Sequence, residues 1–109
     1  MLEPTIEAAP RGDAVEFTIR VVNRGDEDVE LSFSDSQRLR VTVYDGDEPR
    51  WRSDEGQLFA QMLGSETVPE AGESVFEAVW EEAEPGEYRA VGEVVCRDEE
   101  LRAETTFAV

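Results

Sequence analysis

The chain has 109 residues and a mass of 12.2 kDa, the size of one domain whose single core buries roughly 60 to 70% of the unfolded surface, and its 39% of hydrophobic residues fall in short runs that exclude a membrane helix of ~18 apolar residues. Acidic residues number 27 against 10 basic ones, giving a net charge of −17, and so acidic a surface repels the phosphates of nucleic acid. Every basic residue is arginine and histidine is absent, which removes the usual general base, the commonest metal ligand and the near-neutral pH switch.

The acids are spread along the whole sequence and not gathered into a tail. That pattern suits a surface that stays hydrated in concentrated salt, where a Debye length of ~3 Å at ~1 M screens the self-repulsion. A halophilic protein with salt-dependent folding is expected. The start MLEPTIEAAP lacks the basic end and apolar segment of a secretory signal, which points to the cytoplasm. Cys96 is the only cysteine, so no intramolecular disulfide forms; it reads as a small buried hydrophobe at a strand end.

In chain order, Thr5 to Ala9 reads as a short edge strand bracketed by Pro4 and Pro10. Ala14 to Val22 alternates cleanly, with Val15, Phe17, Ile19 and Val21 on one face. After the turn Asn23-Arg24-Gly25-Asp26 the period of two resumes at Val29, Leu31 and Phe33, and the spacing predicts a hairpin. Ser34 to Gln37 is a polar break, and Leu39, Val41 and Val43 line a further strand. Asp45 to Pro49 is turn chemistry, with the proline ending any ladder, and Arg50 to Ser53 predicts a short strand with Trp51 inward.

The segment Gln57 to Gly64 suits a helical turn or an irregular edge, and its type is left open. Val75 to Trp80 predicts a central strand with Phe76, Ala78 and Trp80 on one face. Pro85-Gly86 turns the chain into Glu87 to Val95, where Tyr88, Ala90, Gly92 and Val94 share a face. The acidic turn at Arg97 to Glu100 leads to a last strand from Leu101 to Val109.

Seven to eight short alternating strands without a long helical pattern predict an all-β protein, an immunoglobulin-like antiparallel β-sandwich, with a small barrel as the rival. Gly86-Glu87-Tyr88-Arg89-Ala90 favours the sandwich. In that fold a tyrosine near the start of strand F bonds back to the preceding corner, and Ala90 stands where antibody domains carry a cysteine. One domain over residues 1–109 is expected.

No catalytic, cofactor-binding or metal-binding residue is assigned. Arg-Gly-Asp occurs at 11–13 and 24–26, in both places where a strand must turn. The acidic groups at 26–28, 45–48 and 98–100 lack the oxygen spacing of a calcium loop and read as solvated turns. Without histidine the common nucleophilic triads are excluded, so a non-enzymatic binding or structural module is expected.

From about Val15 to Val95 the order of features resembles the BsuPI family of intracellular proteinase inhibitors. The shared layout runs through Phe17 to Asn23, Val29 to Phe33 with Ser34 and Gln37, and Leu39 to Asp45. It continues through Trp51-Arg52-Ser53, Phe59-Ala60-Gln61, Gly72-Glu73, Trp80 and Gly86-Glu87-Tyr88. It departs from the family pattern at Ala71 and Leu39. The resemblance implies an immunoglobulin-like sandwich in the cytoplasm that binds a protein partner, a serine proteinase, and blocks it. Trp51, Phe59, Trp80 and Tyr88 read first as core residues.

Inhibition requires an exposed segment already held extended. Asp47 to Asp54 is the candidate, with Pro49, Arg50, Arg52 and Ser53 as the expected contacts and the arginines suited to an acidic, trypsin-like pocket. The alternative is a protein-protein interaction module without inhibitory activity that uses an edge strand or loop. Neither reading involves nucleic acid, membrane or cofactor.

Overall fold

The structure, a computed structural model describing residues 1–109, consists of strands joined by turns and loops, with no helix. The nine strands are β1 (Leu2–Arg11), β2 (Ala14–Asn23), β3 (Val29–Phe33), β4 (Leu39–Asp45), β5 (Glu48–Arg52), β6 (Gly64–Val68), β7 (Glu73–Trp80), β8 (Glu87–Val94) and β9 (Leu101–Ala108). They form antiparallel sheets in the orders β1-β2-β7, β3-β6 and β5-β4-β8-β9. The sheets keep open edges, as a sandwich does and a closed barrel does not.

Alternation explains the layers. Every second residue of β2 from Val15 to Asn23 is buried, and Tyr88, Ala90, Gly92 and Val94 of β8 are buried with them. Gly92 sets the spacing between the sheets: a Cβ there would stand 2.6 Å from Ile19 Cδ1 and 2.9 Å from Ile6 Cδ1, so only a residue without a side chain admits both isoleucines. The β3-β6 ribbon adds Leu31, Phe33 and Val68 to the same core cluster.

At one end of the core the aromatic side chains interlock. Trp51 stacks on Phe17 and on Trp80, each at 6.0 Å between ring centroids, and Tyr88 meets Trp80 edge-on at 5.1 Å, within the favourable range for such pairs. The Tyr88 hydroxyl donates to the Glu84 carbonyl at 2.8 Å. This is the expected corner, and Ala90 two residues on is fully buried. Trp80 and Tyr88 are core residues; Trp51 is half-buried and packs against the core, whereas Phe59 lies outside the cluster.

Several expectations are corrected. β2 and β3 do not form a hairpin: β1 and β7 occupy both edges of β2, and β3 pairs with β6. Buried Asn23 makes the crossover, its amide donating to the carbonyls of Glu27 and Val68 while its oxygen accepts from the Gly25 N–H. β7 is an edge strand, not a central one, and its outward Val75 and Val79 are exposed. Pro49 does not end the ladder but lies within β5, opposite Tyr44 beside a register shift, as a sheet edge permits. The count of nine strands exceeds the expected seven to eight because β6, with Ser65, Glu66 and Thr67 facing out, carries little apolar alternation.

The first strand is longer than expected and includes both prolines, again at an edge. Both Arg-Gly-Asp copies lie in or beside turns; Gly12, with φ of 63°, opens the two-residue loop between β1 and β2, where a positive φ is required. Cys96 follows β8, is half-buried against the core, and its thiol donates to the Glu99 carbonyl at 3.2 Å.

Candidate functional site

The chain leaves β5 at Arg52 and reaches β6 at Gly64 without forming another strand or helix. Two short turns open this passage, with Glu55 N–H donating to the Arg52 carbonyl and Gln57 N–H to the Asp54 carbonyl, each at 3.2 Å. From Gln57 to Leu63 the chain has no regular structure. The segment left open in the sequence is therefore a loop, neither helix nor strand.

The loop is fastened at its base by Asp54, whose side chain is only 8% exposed. Its carboxylate accepts from Arg40 Nε at 2.8 Å, from Gln37 Nε2 at 3.1 Å and from Arg52 Nε. Burial alone would push this carboxyl up, but the hydrogen bonds from Arg40, Gln37 and Arg52 prevail and lower it to about 2. The hydrogen bond to Asp54 in turn raises the Arg40 guanidinium above its ordinary value.

The far side is fastened by Ser36, in the polar break between β3 and β4. Ser36 N–H donates to the Ala60 carbonyl at 2.9 Å, and Ala60 N–H donates to the Ser36 hydroxyl at 2.8 Å. Met62 N–H also donates to the Ala60 carbonyl, at 2.9 Å, a tight three-residue reversal.

Between these fastenings Leu58 is 99% exposed, and, just beyond Ala60, Met62 and Leu63 are largely exposed as well. Phe59, next to Leu58, is half-buried and helps line a groove of about 410 Å³ with Leu39, Trp51, Ala78 and Val79. The groove runs along the side of the sandwich where both β5 and β7 present open edges.

The residues expected as contacts lie just before this loop. Pro49, Arg50 and Arg52 are exposed on β5. Arg50 is ion-paired to Asp45 at 2.8 Å and to Glu84 at 3.2 Å, and Arg52 to Asp54. Ser53 is half-buried, and its hydroxyl accepts from the Val41 N–H at 2.8 Å, so it ties the end of β5 to β4. Sequence reasoning reached the base of the loop and missed Leu58, Met62 and Leu63. The available signal was the run Leu58-Phe59-Ala60-Gln61-Met62-Leu63 between Gly56 and Gly64, with apolar residues at both parities and therefore no single face able to bury them all.

A search of the curated proteins gives no significant match. Among solved structures, the CARDB domain of the PF1109 protein from Pyrococcus furiosus in complex with di-metal ions aligns at a TM-score of 0.53 and 17% identity, covering 100% of this chain and 92% of that one. R. palustris CsgH aligns at 0.51 and 16%, covering 95% and 90%. A β-glucosidase from Kluyveromyces marxianus in complex with glucose aligns at 0.55 and 14%, and although all of this chain is covered, it spans only 14% of the length of that enzyme. At these identities the likeness is one of fold, the immunoglobulin-like sandwich. The family itself comes from sequence: a family model matches residues 2–99, and the chain belongs to the BsuPI family, described as intracellular proteinase inhibitor.

Proposed function

We propose that the chain is a non-enzymatic cytoplasmic protein that binds a serine proteinase, occupies its cleft and blocks it, and that it works in concentrated salt. Membership of the BsuPI family over residues 2–99 carries this reading. The fastened loop supports it, because a segment ordered before binding sacrifices less conformational freedom on docking. In this reading Pro49, Arg50 and Arg52 on the edge of β5 border the contact, and Ser53 holds the strand end beneath it. The net charge of −17 opposes binding to nucleic acid and to anionic membrane surfaces.

The test is to incubate the pure protein with a panel of serine proteinases in multimolar KCl. Loss of proteolysis at near-equimolar inhibitor is expected. Full activity at a large molar excess would leave the fold without the inhibitory function.

The second reading, an interaction module without inhibition, draws on β7. This strand leaves one row of backbone groups unpaired at the sheet edge, along which an extended segment of a partner can add as a further strand, and Val75 and Val79 are exposed beside it. Recovery of a proteinase from the protein's own cytosol favours inhibition, and recovery of an unrelated complex favours the module.

A further inference from the structure

We infer that Leu58 is the side chain this protein inserts into the specificity pocket of its target. The inference rests on the inhibitor reading above and gives it a contact residue.

Exposure of one leucine is ordinary on a protein surface. Here, however, Leu58, Met62 and Leu63 are half of the chain's six exposed large hydrophobics and fall within one short loop, and a fourth, Val79, lines the adjoining groove. Such clustering marks a contact surface better than scattered exposure does. The loop is also ordered for the purpose. Asp54 ties its base to Arg40 and Gln37, while Ser36 clamps Ala60 from the other side.

Between those fixed points, the N–H and C=O groups of Leu58 and Phe59 have no hydrogen-bond partner within the chain. They are available to pair with the backbone of a cleft, as an extended peptide does when it adds to a strand edge. Phe59 is turned toward the groove formed with Trp51 and Val79, which leaves its neighbour Leu58 directed into solvent.

The arginines of β5 are poorly suited to the same task. Arg50 is paired with Asp45 and Glu84, and Arg52 with Asp54, so inserting either into a pocket breaks contacts already made. A leucine fits an apolar pocket and leaves the buried acid of a trypsin-like pocket unpaired.

The experiment compares inhibition of subtilisin, chymotrypsin and trypsin in 2 M KCl by the wild type, L58A, L58D and the R50A/R52A double variant, each first checked for an unchanged melting temperature. Wild type is expected to inhibit subtilisin or chymotrypsin and to spare trypsin. L58A should weaken that inhibition by about 10- to 100-fold, the range expected for a buried leucine side chain, and L58D by more. R50A/R52A should change it by less than about 3-fold, as expected of charges at the rim of a contact. Equal inhibition by wild type and L58D, or trypsin inhibition lost in R50A/R52A, overturns the assignment of Leu58 and leaves the inhibitor reading intact. No inhibition by the wild type overturns both.

Discussion

Ser36 and Ala60 hold each other by reciprocal hydrogen bonds, the Ser36 N–H to the Ala60 carbonyl at 2.9 Å and the Ala60 N–H to the Ser36 hydroxyl at 2.8 Å. The pair joins the β3–β4 connection to the loop that displays Leu58, and so couples a position remote in sequence to the order of the proposed contact surface. Replacing Ser36 by Ala removes the side-chain half of the clamp. A stability loss of about 0.5–1.5 kcal/mol is expected, together with faster amide exchange at Ala60 and faster proteolytic nicking between Glu55 and Leu63. Unchanged exchange at Ala60 would show that the loop is ordered by other means.

Asp54 gives the same loop a pH dependence. Its folded-state value of about 2 lies below the ordinary 3.8, so its stabilising contribution is complete above the ordinary value and is lost as pH falls toward 2. D54N is expected to cost about 1.5–3 kcal/mol at pH 7, in line with hydrogen bonds to a charged group, and the difference from wild type should shrink as pH falls through 2. Denaturant melts of both proteins across that range give the answer. A difference that stays constant with pH would assign the effect to packing and not to the charge.

Gly92 sets the approach of the two sheets. Gly92→Ala places a methyl group 2.6 Å from Ile19 Cδ1 and is expected to destabilise by about 1–3 kcal/mol. Adding Ile19→Val removes the opposing atom, so the double variant should be more stable than the sum of the single changes predicts. A double-mutant cycle measures the coupling, and strict additivity would contradict the close contact.

The net charge of −17 predicts that the melting temperature rises from low to multimolar KCl, because salt screens the repulsion among the acids. The rise should begin at about 0.1 M, where the Debye length is already down to ~10 Å, and continue toward ~1 M, where it is ~3 Å. A midpoint indifferent to KCl would contradict a halophilic protein.

The strands readable in the sequence are those that bury one full face. β2 alternates from Val15 to Asn23, while β4 and β8 bury Val41 and Val43, and Tyr88, Ala90, Gly92 and Val94, on one face and also cover Thr42 and Val91 on the other, and Tyr88 marks the corner because its hydroxyl must find a partner when buried. Pairing was not readable. Val29 to Phe33 has the pattern of a hairpin partner, yet which strand it meets is decided by Asn23 and by the prior claim of β1 and β7 on β2, contacts distant in sequence. β6 was invisible because only Val68 is fully buried. The base of the candidate site was legible through Pro49, Arg50 and Arg52, whereas the display of Leu58 depends on Ser36, which the sequence shows only as a polar break.

The most direct test of inhibition is active-site titration of a serine proteinase with an apolar specificity pocket, using the intact protein in 2 M KCl. Activity is expected to fall linearly to near zero as the chain approaches one equivalent per active site. Full activity at a large molar excess, across proteinases with apolar and acidic pockets alike, would contradict it.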